Sequence, residues 1–268
     1  MLTLPEFTKT FVDVHGIRTE VQTRGEGRPL LFLHTEEGLR GNGVALKQLS
    51  TLGRVIVPSH PGFGNSQLPA SISSVDDLAY FYLDLMDALD LQDTVVLGAS
   101  FGGWIAAQMA VKCVSRVGKL VFIDTVGIKV GDRETRDIVD MHAVDNDQLF
   151  DLIYSAPEKH RPDFSSFSDE DALIFARNKE TFTYLAWRPY MHDPKLRGLL
   201  RRIRVPTLVL WGDRDRIVSP DYGRAFSAEI VGSQFQLIEN AGHYPFVEQP
   251  QAFHSQVAAF IDNPQHQF

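Results

Sequence analysis

Short, continuous runs of apolar residues recur along the chain and are typical of central strands in a parallel sheet. The runs occupy 29–33, 55–57, 94–97, 119–123, 207–211 and, in a shorter form, 235–238. Apolar runs of this length, separated by turn residues, predict buried strands. Ahead of them, residues 7–14 and 17–23 flank the turn sequence His15-Gly16. These two segments therefore predict a β-hairpin.

Segments with helical periodicity lie between the apolar runs. After Ser74 the apolar residues repeat with a spacing of about 3.6, and Ser74 with Asp77 resembles a capping pair. The alanine-rich segment 104–114 and the segment 250–261 predict two further helices. Strands that alternate with helices indicate a parallel α/β sheet with helices on both faces.

The segment 125–203 interrupts this alternation because it contains no apolar run of the strand type. Its pattern predicts helices over 132–144, 147–154 and 168–187. A helical insertion between two strands lies over one end of the sheet as a cap. We therefore expect a sheet domain formed by 1–124 and 204–268 and a helical cap formed by 125–203.

Composition and charge restrict the environment and the partners. The chain has 26 Lys and Arg residues against 34 Asp and Glu residues, a net charge of −8, and no basic stripe, so we expect no nucleic-acid partner. Cys113 is the single cysteine, which excludes an intramolecular disulfide. No apolar run approaches the roughly 18 residues of a membrane helix, and the N-terminus lacks the pattern of a signal peptide. We expect a soluble, cytoplasmic protein with no membrane partner, and its oligomeric state stays open.

The strongest local motif is Gly-Ala-Ser-Phe-Gly at 98–102. It lies between the apolar run 94–97 and a predicted helix, the strand-turn-helix context of a G-x-S-x-G nucleophile. The two glycines, which have no Cβ, allow neighbouring backbone segments to approach each other closely at a sharp turn. The motif predicts Ser100 as a nucleophile, and a strand-helix turn built from small residues is the alternative interpretation.

A serine nucleophile needs a general base, and the base needs an orienting acid. Asp215 follows the run 207–211 and His243 follows the run 235–238. Both positions lie where the carboxyl ends of strands open a ligand crevice. The chain order Ser100, Asp215, His243 therefore predicts a catalytic triad.

Two further aspartates bear on the identity of the acid. Asp213 lies in the same loop as Asp215, and we interpret it as a turn former. Asp124 ends the run 119–123 and stays open as an alternative acid.

With these motifs, the sequence resembles the α/β-hydrolase superfamily, in the branch of serine hydrolases and esterases with a helical cap. The resemblance also covers His34 with the loop to Gly38, the segment 60–66 and the segment 240–245. It implies an eight-stranded, mostly parallel sheet flanked by helices, with the cap inserted between strands six and seven. It also implies hydrolysis without a cofactor.

The same resemblance implies an oxyanion hole. By position, the two backbone N–H donors are those of Glu36 and Phe101. The family usually has His-Gly where this chain has His34-Thr35, followed by Glu36 and Glu37. Two unit charges about 4 Å apart at an effective dielectric near 20 repel by roughly 4 kcal/mol. We therefore expect the Glu36 carboxylate to point away from the oxyanion or to pair with a cation such as Arg40; the rival hypothesis gives this side chain a functional role.

These residues predict hydrolysis of a small acyl substrate, namely an ester, thioester, lactone or activated amide, through an acyl-enzyme. Serine at position 100 argues against haloalkane dehalogenases and epoxide hydrolases of this fold, which use aspartate there. Hydrolases of carbon–carbon bonds in ring-cleavage diketo acids stay an alternative, although they commonly have asparagine and tryptophan where Ala99 and Phe246 stand. A binding protein for small ligands with little turnover is a further alternative.

Four cap residues are candidates for substrate binding: Arg177, Trp187, Arg188 and Tyr190. An arginine binds a carboxylate well, and aromatic side chains line many pockets. Packing between cap and sheet explains the aromatic residues equally well. The histidines lack the spacing of a zinc site and the glycines lack a dinucleotide motif, so we predict neither a metal nor a nucleotide cofactor.

Overall fold

Eight strands form one sheet in the computed structural model, which describes residue 4 and residues 6–263. The strands are β1 (Thr8–Val14), β2 (Ile17–Arg24), β3 (Pro29–Leu33), β4 (Arg54–Pro58), β5 (Thr94–Ala99), β6 (Val117–Ile123), β7 (Thr207–Gly212) and β8 (Gln234–Ile238). Their spatial order is β1-β2-β4-β3-β5-β6-β7-β8. The pairs β1–β2 and β2–β4 are antiparallel and the other pairs are parallel. The prediction of an eight-stranded, mostly parallel sheet is confirmed.

Helices flank this sheet. They are α1 (Gly43–Leu49), α2 (Val75–Ala88), α3 (Phe101–Lys112), α4 (Asn146–Ile153), α5 (Pro157–His160), α6 (Asp169–Ala186), α7 (Leu196–Leu199), α8 (Pro220–Ala228), α9 (Pro245–Glu248) and α10 (Pro250–Asp262), with 3₁₀ turns at Phe164–Ser166 and Leu200–Arg202. Strands β5 and β7 are buried along their whole length, which explains why their sequences are continuously apolar. In the part of the chain described, no helix combines the length and apolar composition needed to cross a bilayer.

The segment between β6 and β7 contains helices α4 to α7. Its longest helix, α6, lies against the loops that follow β3 and β4. Thr181 Oγ1 donates to the carbonyl of Gly62 at 3.0 Å, and the Asn178 amide donates to the carbonyl of Glu37 at 3.2 Å. These contacts hold α6 over the edge of the sheet at which the parallel strands end.

The predicted helix over 132–144 is wrong. The Asp132 carboxylate accepts two N–H groups of the residues that follow it, at 2.8 and 3.0 Å. The Asp137 carboxylate accepts two from the preceding turn, at 2.9 and 3.0 Å. Such bonds compete with helical hydrogen bonding. The segment instead runs beside the loop after β7, where Val139 N–H donates to the Ile217 carbonyl at 2.9 Å.

Candidate active site

The polar residues singled out in the sequence come together at one edge of the sheet. Glu36, Ser100, Asp124, Asp215 and His243 follow the ends of β3, β5, β6, β7 and β8, respectively. All five strands run parallel, so their carboxyl ends share that edge. All five residues are buried. The topology therefore collects side chains that are distant in sequence.

Ser100 occupies the sharp turn between β5 and α3. Its backbone has φ 48° and ψ −113°, in the left-handed range that costs energy for a residue with a Cβ. The turn requires glycine on both sides. A Cβ at Gly98 would lie 2.6 Å from the Gly102 carbonyl oxygen, and a Cβ at Gly102 would lie 2.2 Å from that of Leu33. The tight contacts fix the serine hydroxyl above the sheet edge.

A continuous hydrogen-bond chain joins the serine, the histidine and the aspartate. Ser100 Oγ lies 2.9 Å from His243 Nε2, and His243 Nδ1 lies 2.7 Å from Asp215 Oδ2. A carboxylate only accepts, so Nδ1 carries a hydrogen and Nε2 is left to accept from the serine. The other Asp215 oxygen accepts the N–H groups of Ile217 at 2.8 Å and Val218 at 3.1 Å. These bonds fix the carboxylate in the plane that orients the imidazole.

The electrostatic surroundings make His243 a stronger base. Burial alone lowers the pKa of His243, but the charges of Asp215 and then of Glu36 and Glu37 outweigh it and raise this pKa above the usual 6.5. The imidazolium that forms when the ring takes a proton is therefore stabilised.

The alternative acid, Asp124, lies beside Asp215. One of its oxygens accepts the N–H of Gly212 at 2.9 Å. Burial, and then the charge of Asp215, raise the pKa of Asp124 well above its usual range. Of the two carboxyl groups, Asp215 makes the hydrogen bond to His243.

The Glu36 carboxylate lies on the serine, so the expectation that it points away or pairs with Arg40 is wrong. Its Oε2 lies 2.9 Å from Ser100 Oγ, within hydrogen-bond distance, and its Oε1 accepts from the Tyr244 hydroxyl at 2.5 Å. Arg40 forms its ion pair with Glu37 instead. Tyr244 adjoins His243 in the sequence, but nothing in the sequence indicates that its hydroxyl binds Glu36.

The two backbone groups expected to form an oxyanion hole lie on adjoining segments. Glu36 is in the turn that the Gly38 N–H closes on the Thr35 carbonyl at 3.0 Å. Phe101 is the first residue of α3, where N–H groups lack a partner within the helix. The start of α3 approaches the end of β3 closely, as the Gly102 contact shows. Their role as oxyanion donors stays a prediction.

Comparison with known proteins identifies the family. The model of the alpha/beta hydrolase family matches residues 30–256. The chain belongs to that family. It is similar to 2-hydroxymuconate semialdehyde hydrolase of Pseudomonas sp. (strain CF600), with 28% identity over 92% of this chain and 91% of that protein. It is also similar to Lipase 3 of Moraxella sp. (strain TA144), with 26% identity over 88% of this chain and 78% of the lipase.

Solved structures agree with this assignment. A meta-cleavage product hydrolase from Pseudomonas fluorescens IP01 superimposes with a TM-score of 0.77 and 21% identity, over 94% of this chain and 97% of that one. This likeness concerns the fold. As a member of the family, the chain is a hydrolase, and its relatives cleave more than one kind of bond.

Two histidines in close contact support the Glu36 loop of this alpha/beta hydrolase. The rings of His34 and His60 are 3.6 Å apart; His34 Nε2 accepts the His60 N–H at 3.0 Å, and His60 Nε2 donates to the His34 carbonyl at 2.9 Å. Burial lowers the pKa of His34 to about 4 and that of His60 well below 6.5. Both rings are therefore neutral at physiological pH and link the loops after β3 and β4.

The four cap residues predicted to bind substrate do not line the space next to Glu36. The Arg177 guanidinium donates to two carbonyls in the loop after β4, at 2.9 and 3.2 Å. The Tyr190 hydroxyl donates to one backbone carbonyl of the cap and accepts one of its N–H groups. Trp187 and Arg188 are exposed. Arg177 thus ties the cap to the loop after β4, and Tyr190 holds two parts of the cap together.

The space next to Glu36 is a cavity of about 40 Å³ under the cap. The surface of the cavity is mainly apolar, and its polar groups come from the loop after β3, from α6 and from the start of α4 with the segment before it. The residues that form it are Glu36, Glu37, Met141, His142, Asn146, Leu149, Phe150, Ile153, Phe175, Asn178, Lys179 and Phe182. Of these residues, the sequence singled out only Glu36 and Glu37. The others depend on how the cap folds over the sheet, which periodicity does not reveal.

One cluster has the composition of a metal site. Ligand atoms of Asp124, Asp215 and His243 lie within 4.8 Å of one another. Two of these groups are already hydrogen-bonded to each other, and Asp124 favours its protonated form. A protonated carboxyl is a poor ligand for a cation. The cluster is better suited to holding protons than to holding a metal ion.

Proposed function

We propose that this alpha/beta hydrolase is a serine hydrolase that cleaves a small acyl substrate through an acyl-enzyme. The substrate is a carboxylic ester, a thioester, a lactone or an activated amide. The observation that carries the proposal is the buried chain from Ser100 through His243 to Asp215, with bonds of 2.9 and 2.7 Å. Such a chain activates a hydroxyl that is otherwise a weak nucleophile.

Acylation follows from these contacts. Ser100 Oγ forms a bond to the carbonyl carbon while its proton passes to His243 Nε2, and Asp215 stabilises the imidazolium. The carbonyl oxygen becomes an oxyanion, which the N–H groups of Glu36 and Phe101 bind. The intermediate then breaks the bond to the leaving group, and His243 gives its proton to the departing atom.

Deacylation reverses the roles. A water molecule adds to the acyl carbon and passes a proton to His243. The new intermediate breaks the bond between the carbon and Ser100 Oγ, and His243 returns the proton to that oxygen. The products are the free acid and the regenerated serine.

We assign the binding of the acyl group to a helical cap. The cap is the segment 125–203, and 1–124 with 204–268 form the sheet domain. The contacts of α6 with the loops after β3 and β4 support this division. The apolar cavity next to Glu36 supports placing an apolar acyl group there.

Carbon–carbon bond hydrolysis is the second candidate. Two of the similar proteins, the 2-hydroxymuconate semialdehyde hydrolase and the meta-cleavage product hydrolase, favour it. In that reaction the same triad would attack a ketone carbonyl next to the carbon–carbon bond that breaks. Arg177, the cap cation expected to bind a substrate carboxylate, is engaged with backbone carbonyls. The Glu36 carboxylate beside Ser100 also disfavours an anionic substrate, and we therefore place ester cleavage first.

A substrate panel tests the proposal. Activated esters, thioesters, lactones and vinylogous diketones are assayed with the wild type and with Ser100→Ala. We expect turnover of the acyl compounds by the wild type and none by Ser100→Ala. Turnover of diketones alone would favour the second candidate. Binding without turnover would assign the protein to the small-ligand binders.

A further inference from the structure

The Ser100 hydroxyl has two acceptors and only one hydrogen. Its oxygen lies 2.9 Å from His243 Nε2 and 2.9 Å from Glu36 Oε2. When the hydrogen points to Glu36, it is not available to His243. When it points to His243, lone pairs of the serine oxygen and of the carboxylate face each other with no hydrogen between them. The reactive arrangement therefore leaves Glu36 in need of another donor.

The rest of the site supplies only part of what Glu36 needs. Tyr244 donates to its Oε1 at 2.5 Å. Burial, and then the charges of Glu36 and Glu37, raise the pKa of Tyr244 well above its ordinary value, so its hydroxyl remains a donor. Of the nearby cations, Arg40 pairs with Glu37, and Lys179 of α6 lines the same cavity as Glu36. Within the described residues, Glu36 forms no ion pair.

We propose that Glu36 is a specificity-determining residue whose carboxylate releases Ser100 when an acyl substrate brings an ammonium group next to the scissile carbonyl. The substrate class is an α-aminoacyl ester, thioester or amide. The proposal rests on the function proposed above, in which Ser100 is the nucleophile.

The position of Glu36 determines where this ammonium group must lie. The carboxylate contacts the attacking oxygen itself, so a substrate group that faces it lies close to the scissile carbonyl, and the cavity beside Glu36 places that group on the acyl side. An ammonium there replaces the Ser100 hydroxyl as the donor to Oε2. Its charge also offsets the repulsion between Glu36 and the developing oxyanion. The cavity of about 40 Å³ beside Glu36 has room for a small side chain, such as a methyl group, on the same carbon.

Glu36 faces several other titratable groups, which the test must take into account. Glu37 is next to it in the loop, Tyr244 contacts it, and His243 lies across Ser100 from it. Asp215 lies beyond His243. A ratio between substrates, measured at one pH, separates the effect of Glu36 from any general change in the protonation of these groups.

The test uses three phenyl esters of nearly equal shape. The acyl groups are alanyl, 2-methylpropanoyl and the methylmalonyl half-ester, which carry an ammonium, a methyl and a carboxylate at the same position. kcat/KM is measured below the pKa of the substrate amine and corrected for spontaneous hydrolysis. We expect the wild type to prefer alanyl over 2-methylpropanoyl by at least about tenfold and to be slowest with the half-ester.

Variants assign the preference to one carboxylate. Glu36→Gln keeps the backbone donor, and we expect the ratio of alanyl to 2-methylpropanoyl to fall to within about twofold of unity. Glu37→Gln removes the neighbouring charge and is expected to keep the wild-type ratio, whatever happens to the absolute rates. Tyr244→Phe keeps the Glu36 charge, so it should also keep the ratio. Glu36→Ala also removes the carboxylate, so it serves as the second variant if Glu36→Gln does not fold, and the same fall in the ratio is expected.

A wild type without preference for the alanyl ester would overturn the proposal, as would a Glu36→Gln variant with the wild-type ratio. A purely structural Glu36 would slow all three esters equally and leave the ratio unchanged, which also contradicts it. Ser100→Ala must lose turnover of all three esters. If it does not, the proposed function itself fails, and that result is distinct from an unchanged ratio.

Discussion

At the scale of single residues, the site depends on backbone geometry as much as on side-chain chemistry. Ser100 has φ 48°, and glycine is required at Gly98 and Gly102 because carbonyl oxygens lie where a Cβ would be. Strain of this kind costs about 1–3 kcal/mol and persists only where the surroundings enforce it. Here β5 and α3, which are buried, enforce it. The result is a hydroxyl that is held within reach of both His243 and Glu36.

Ser100→Ala and His243→Ala should each lower kcat by about 10⁴-fold or more while the fold is retained. The serine and its base act as one unit, so the double variant should be little worse than either single variant. Steady-state kinetics and circular dichroism of the three variants check this. If the loss of kcat in the double variant equalled the product of the two single losses, the residues would act independently.

Activity should fall reversibly in acid, with an apparent pKa above 6.5. The pKa of His243 in the folded protein is raised. The ring therefore stays protonated, and cannot accept a proton, up to a pH above the pKa of a free histidine. Glu36→Gln removes one of the charges that raise this pKa, so its acid limb should move to lower pH. Profiles of kcat/KM against pH for both proteins measure the shift. A flat profile for the wild type from pH 5 to 8 would argue against a histidine base.

At the scale of elements, the sequence predicted the strands and the long helices better than the cap. Helices α2 and α6 begin after Ser74 and Ser168, whose side chains accept the N–H of the third helical residue, and such caps are visible in a sequence. Helix α1 was not predicted because it is short and lacks a side-chain cap. The segment 132–144 has helical periodicity, but its aspartates bind backbone groups outside a helix.

In the site, too, some features could be predicted from the sequence and others could not. Ser100, Asp215 and His243 follow strand ends, and the parallel topology fixes where strand ends lie. The direction of a side chain is a tertiary property. Arg177 turns to backbone carbonyls, and Glu36 turns to Ser100 and Tyr244, because of partners that lie far away in the sequence.

Asp137→Ala should destabilise the segment between β6 and α4. The Asp137 carboxylate accepts two backbone N–H groups and pairs with Lys129 at 2.6 Å, and its side chain is 10% exposed. Leaving these donors unpaired should lower the free energy of unfolding by about 1–3 kcal/mol. Urea denaturation measures the change. The exposed Glu134 provides the control, since Glu134→Ala should change stability by no more than about 0.5 kcal/mol. Equal stability of Asp137→Ala and the wild type would contradict this role.

At the scale of the whole molecule, the sheet brings one reacting centre together from five loops spread over the chain. Glu36 and His243 belong to opposite ends of the sequence, yet both contact Ser100. The cap closes over this centre through α6. The arrangement places the polar groups of this hydrolase at the carboxyl ends of the strands, and under the proposal above the loop after β3 and the cap set its selectivity.

Treatment with a chelator should leave activity unchanged. Atoms of Asp215 and His243 that could bind a cation are bonded to each other, and Asp124 favours its protonated form. Activity is measured before and after incubation with EDTA and removal of the chelator. A loss that a divalent ion restores would show that the cluster holds a metal after all.

The most direct test of the account is the covalent intermediate on Ser100. Rapid mixing of the wild type with an excess of an activated ester should release a burst of about one leaving group per chain. Intact-mass measurement of the quenched protein should show one added acyl group. Ser100→Ala should give neither the burst nor the adduct. An equal burst and adduct in Ser100→Ala would contradict the account, because the nucleophile would then be another residue.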